Sequence, residues 1–307
     1  MPVRTLTAPQ AGPVLIDAQL LGAGGTVTVR TDRYRQAAEI TIRTADDTGD
    51  SADAVRTAAL RWDSRGALVA HVHSTGGTSG AGTVITGNSS GAVQTIQANG
   101  SSVIVMSGSG LHLGGSGSRF HFHGGAAVEV IGGASPIEIT AVVPEGSSVT
   151  ARTHSADVTA DGRFAAICAS SRSGSIHALG QAEQFTANTR SGDIGVENVP
   201  HLNVTAQSGS IRLGRTDLVE ANAMSGDITI RDFGGTARLH TMSGDIRVHA
   251  TAGGDLTAAT MSGDITVTAT EQAVNDDLDA RATSTSGDVR LPQRRPHRTD
   301  GPRRRSN

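Results

Sequence analysis

Six aspartates recur at nearly even spacing in the second half of this 307-residue chain: Asp157, Asp193, Asp227, Asp245, Asp264 and Asp288. Ser175 and Ser210 fill two places in the same series. A periodic row of carboxylates can hold divalent cations, or each can accept backbone N–H bonds and cap a turn. Calcium-binding rolls place an apolar residue two positions after the Asp, behind a Gly-Gly-x-Gly start. Here the apolar residue follows the Asp directly (Ile194, Ile228, Ile246, Ile265) and the paired glycines are absent. Serine caps well and ligates Ca²⁺ poorly, so the row reads as a structural turn column that needs no metal cofactor.

Two other groups have the residue types for chemistry. His71 and His73, and again His121 and His123, alternate along short apolar runs, so each pair projects from one strand face. Paired imidazoles can chelate Zn²⁺ or a similar ion, with His112 as a possible third ligand, but no Cys or carboxylate stands at tight ligand spacing. At the other end, Arg294, Arg295, Arg303, Arg304 and Arg305 lie in a Pro-containing basic tail. Such a tail could meet an acidic surface, although solubilising tails have the same composition. No nucleophile elbow, phosphate loop or acid–base pair flanked by sugar-stacking aromatics is present: Trp62 and Tyr34 are remote, and Phe164, Phe185 and Phe233 are scattered. An enzyme is not expected.

The elements that carry these residues are set by a repeat. A Ser-Gly-Asp-Ile phrase, with small variations, starts at Ser155, Ser173, Ser191, Ser208, Ser225, Ser243, Ser262 and Ser286, and most intervals are 17–19 residues. Six positions before the serine stand Val149, Ile167, Phe185, Leu202, Val219, Ala237, Leu256 and Ala280. Three after it stand Val158, Ile176, Ile194, Ile211, Ile228, Ile246, Ile265 and Val289. Apolar columns alternate with polar ones on both sides of the phrase, which is the period of half-buried strands. Each repeat is two short strands joined at a Ser-Gly-Asp corner. Stacked repeats cover one another's apolar faces, so the fold class is all-β, a β-solenoid with coils of about 18 residues. A β-sandwich of hairpins also fits a two-strand unit, but it has no need for the same side chain at every equivalent place.

Around this core, residues 1–73 read as a small β-rich N-terminal cap with one helix, over Ser51–Trp62. Residues 74–135 read as Gly/Ser-rich irregular coils, 136–291 as the regular solenoid, and 292–307 as a tail without fixed structure. The net charge of −3 argues for neither nucleic acid nor membrane, and all 26 basic residues are arginine. Cys168 is the single cysteine, so no internal disulfide forms. The opening residues lack a leader pattern and no run reaches membrane-span length, so a cytoplasmic location is the expectation.

Three stretches together resemble the bacterial putative-adhesin family, a β-strand-repeat family of unknown function common in actinobacteria. They are Gly24-Gly25-Thr26-Val27-Thr28-Val29 with Ala38-Glu39-Ile40-Thr41-Ile42, the lead-in Pro144-Glu145-Gly146-Ser147-Ser148-Val149, and the ladder with Met-Ser-Gly-Asp-Ile at Met224, Met242 and Met261. The resemblance implies an adhesin-like module with no catalytic residues to carry over. The expected role is a non-catalytic scaffold or interaction module, binding a protein partner or itself through solenoid edge or faces. The alternative is a carbohydrate-active or carbohydrate-binding β-helix.

Overall fold

In the computed structural model, residues 1–22, 24–73 and 135–292 are described in full, together with five short strands between residues 84 and 130. The repeats stack as parallel, in-register coils. Ile194 pairs with Ile211, Ile211 with Ile228, Ile228 with Ile246 and Ile246 with Ile265, one coil at a time. On the other face Phe185, Leu202, Val219, Ala237, Leu256 and Ala280 form an equally continuous file. Both files are buried except at Ala280, and together with the small Thr/Ser column two before the serine they make one thin core. The chain is all-β with a solenoid-like parallel stack, as the alternation requires.

The corner glycines explain why the phrase repeats. Gly174, Gly192, Gly209, Gly226, Gly244, Gly263 and Gly287 lie directly over one another, and a Cβ on any of them would overlap backbone of the coil before. Ala156 holds the first place in this file and is fully buried. The glycines are therefore selected by close approach of backbones, and the left-handed φ of Gly209 (141°) adds a second reason.

A further inward column lies at the opposite corner: Phe164, Ala182, Val199, Thr216, Phe233 and Ala250. Phe164 pairs with Ala182, Thr216 with Phe233 and Phe233 with Ala250. The phenylalanines that look scattered along the sequence are thus core residues, Phe164 and Phe233 here and Phe185 in the six-before column.

The N-terminal strands join the same stack. Leu15–Leu21 pairs in parallel with residues 148–153 on one side and 67–73 on the other, and Gly25–Thr31 pairs in parallel with 137–143 and 157–161. Antiparallel strands then close this end: Glu39–Thr44 pairs with 3–7 and with 137–142, and Ala59–Trp62 pairs with 68–71. The expected helix is shorter than the sequence suggests. Helix α1 spans Asp50–Thr57 and buries Ser51, Ala52, Ala54 and Val55. At Ala58 the backbone turns extended (ψ 137°), because Leu60 and Trp62 gain more by pairing with Ala70 and Leu68 as a strand.

A second helix, α2 (Glu271–Asn275), was not foreseen. It occupies the long interval between Ser262 and Ser286, is capped by the Thr270 hydroxyl accepting from Ala273 N–H, and buries Ala273. The short strands between residues 84 and 130 pair antiparallel with one another, Val93–Ile96 with Val103–Met106 and Arg119–His121 with Ala127–Val130, outside the main sheet. The rest of the stretch expected to form irregular coils lies outside the described residues.

Candidate functional site

Parallel stacking brings the aspartate series to one edge of the Ser-Gly-Asp corner. The carboxylates do not turn back into their own loops. All but Asp288, in the last coil, reach the next coil: Asp157 Oδ1 accepts from Ser175 N–H (2.8 Å), Asp193 Oδ1 from Ser210 N–H (2.8 Å), Asp227 Oδ1 from Asp245 N–H (2.9 Å), Asp245 Oδ1 from Asp264 N–H (2.9 Å) and Asp264 Oδ1 from Asp288 N–H (2.8 Å). The aspartates therefore stitch coil to coil. Several second oxygens are also engaged. Arg212 meets Asp193 (3.0 Å), Arg247 bridges Asp227 (3.3 Å) and Asp245 (2.6 Å), and Arg290 meets Asp288 (3.5 Å). These arginines come from the outward column two residues past the aspartate, so the file of like charges is relieved by interleaved guanidinium groups.

This arrangement has two measurable consequences. With Oδ1 on backbone and Oδ2 on arginine, Asp193, Asp227 and Asp245 have little capacity left for Ca²⁺. EDTA is expected to leave the β circular dichroism and the melting temperature unchanged. A chelator-induced loss that Ca²⁺ restores would contradict this.

The second consequence concerns acid. Partial burial, the largest single influence, opposes ionisation of Asp193. The Ser210 N–H, the Arg212 hydrogen bond and charge, and the His177 charge together outweigh it, so the carboxyl titrates below its usual value. A depressed carboxylate stabilises the fold above its unfolded pKa, and the contribution disappears as pH falls through the folded one. Asp193→Asn keeps an oxygen for Ser210 but loses the charge. It should be less stable at neutral pH by under about 1 kcal/mol, since the pair is half exposed, and the gap should close below about pH 4. Urea melts at both pH values check this; a gap that persists in acid would refute it.

His71 Nε2 lies 3.0 Å from Asp17 Oδ2, and His73 is exposed at the end of the same strand. His121 ends the strand Arg119–His121, while His123, His112 and Arg294, Arg295, Arg303, Arg304 and Arg305 lie outside the described residues. Among the described residues no group of three or more His, Cys, Asp or Glu is placed to share a metal. Cys168 is exposed on an outer column.

A feature absent from the sequence reading is a cleft of about 490 Å³ at the second corner of the first coils. Its walls include Glu145, Arg163, Gln181, Glu183, Asn198 and Pro200, one or two residues from each successive coil. The coils that begin at Ser191 and Ser208 are 17 residues long where the two before them have 18. This change of length coincides with the register shift between Ala178 and Gln181 that opens the ledge. Only comparing coil lengths could have signalled it. The lining offers charged and amide hydrogen-bonding groups, and Phe164 beneath it is buried.

Residues 85–306 match the family described as Toastrack DUF4097. Among solved structures, the crystal structure of a putative lipid binding protein from Parabacteroides distasonis ATCC 8503 is 12% identical, with a TM-score of 0.51, 94% of this chain and 97% of that one being covered. A putative adhesin from the same organism is 7% identical over the same shares, with a TM-score of 0.43. The first likeness is one of fold. No curated protein sequence matches the chain. Among the described residues no helix is long and apolar enough to cross a membrane.

Proposed function

Since the chain belongs to the Toastrack DUF4097 family, we propose that it is a non-catalytic, adhesin-like interaction module, a solenoid of about 18-residue coils that binds through the edge of its last coil. The observation that supports this reading is the asymmetry of the two ends. The N-terminal end is covered by α1 and by antiparallel strands, of which Val3–Thr7 and Ala59–Trp62 also pair on one side only. At the other end, Leu278–Ser286 and Val289–Arg290 pair on one side only, with residues 254–262 and 265–266. Among the described residues nothing pairs with their far side. Ala280 and Ala282 are only partly buried there, and Val289 and Leu291 are about 40% exposed. An edge with free backbone groups and apolar side chains invites strand addition.

Pro292 cannot donate to a ladder, and the arginines that follow repel a second copy of themselves. Deleting residues 292–307 is therefore expected to raise the self-associated fraction, and added salt to raise it for the intact chain by screening that repulsion. Sedimentation of both forms at low and high salt reads this directly. Monodisperse monomers in all four conditions would exclude the edge as the binding element.

The cleft favours a second reading, carbohydrate binding. Arg163, Gln181 and Asn198 are the hydrogen-bonding types that hold sugar hydroxyls. Retention on a polysaccharide matrix that Gln181→Ala and Asn198→Ala abolish would support this reading over edge pairing.

A further inference from the structure

The column just before each serine changes character along the stack. It reads His154, Arg172, Arg190 and Gln207 in the first coils, then Met224, Met242 and Met261, then Thr285. Three of the five methionines in the chain thus stand on three consecutive coils. The serines that follow them pair in register, Ser225 with Ser243 and Ser243 with Ser262, so the methionines are stacked about one strand spacing, roughly 4.8 Å, apart. All three are exposed, by 47%, 42% and 53%. Burial cannot be what selects them, since the equivalent positions elsewhere are polar.

We propose that Met224, Met242 and Met261 form a thioether site for a soft monovalent cation, Cu(I) by chemical class. Thioether sulfur is a weak ligand for hard cations and a good one for Cu(I) and its analogues. Methionine has three rotatable bonds, so the two outer side chains can lean along the stack toward Met242 and bring three sulfurs to one ion. His240 is exposed two residues before Met242 on the same outer face, with Asn222 and Ala259 as its small cross-strand neighbours. Its imidazole is a natural fourth ligand. Around the corner run Asp227, Asp245 and Asp264, which favour a cation, although Arg247 offsets two of them. No bond is made or broken in the protein, and the ion enters from solvent along an open ridge.

The test uses Ag(I), which has the same ligand preference and needs no reductant, on the full chain labelled at the methionine methyl carbons. A Cys168→Ser background removes the competing thiol, which sits on a different coil. The methyl resonances of Met224, Met242 and Met261 should move together and saturate at one Ag(I) per chain, ahead of Met1 and Met106. Met242→Leu keeps the bulk and exposure but not the sulfur. It should weaken binding at least tenfold while leaving the melting temperature unchanged. If all five methyls shift in parallel, or if the Met242→Leu chain takes up its first Ag(I) as tightly as before, the site does not exist.

Discussion

Gly226→Val is expected to abolish the cooperative unfolding transition of the regular coils. A side chain at this place meets the carbonyl group and backbone nitrogen of Gly209, and Gly244 is packed in the same way on Gly226. The obstacle is backbone rather than a side chain, so no rotamer change can relieve it. Pushing these two coils apart would break the ladder bonds Gly209 N–H to Ser225 carbonyl and Ile211 N–H to Asp227 carbonyl. The cost should exceed the 0.5–3 kcal/mol or so of most substitutions. Ala156→Gly supplies the control: the same column at its first place already accepts a Cβ, and the change should cost only about 1 kcal/mol. Thermal melts of the two variants separate a steric column from a generic turn requirement. Equal, wild-type-like melting would mean that the coils are not in contact at this corner.

Phe233→Ala should be the costliest truncation in the core, at about 3–5 kcal/mol. Phe233 is fully buried, and its cross-strand neighbours in the second-corner column are Thr216 and Ala250. One large ring between two small side chains fills space that belongs to three coils. Those neighbours cannot expand to close the cavity, because the ladder holds their backbones in register. Urea denaturation gives the number. A loss below about 1 kcal/mol would place Phe233 outside the core.

These two residues show what could be read before the fold was known. The Ser-Gly-Asp-Ile phrase aligns the apolar columns on both its sides directly, because each lies within six residues of the serine. The second-corner column does not align so easily. Coil lengths of 17, 18 and 19 residues slip it by one or two places, so Phe164 and Phe233 sit nine and eight residues after their serines. The role of the aspartates was legible only by half. Residue type points to N–H capping, but which N–H depends on the coil above, and only parallel register places Ser210 over Asp193. Residues 15–31 lack the phrase altogether. Their place in the stack depends on pairing with strands more than a hundred residues away, and α2 is hidden because its five residues carry only one buried side chain. The cleft arises from a difference between coils, which a search for sameness passes over.

The stack of coils is covered by a helix and antiparallel strands at one end and ends in a bare parallel edge at the other. Amide hydrogen exchange across residues 176–290 tests this most directly. Protection should be high and nearly uniform through the coils at Ile194, Ile211, Ile228 and Ile246, then fall at Leu278–Ser286 and Val289–Arg290, whose outer edge faces solvent. Any bound partner should restore protection at that edge first. Uniform protection through Val289 in the isolated monomer, or fastest exchange in the central coils, would contradict the open-ended stack.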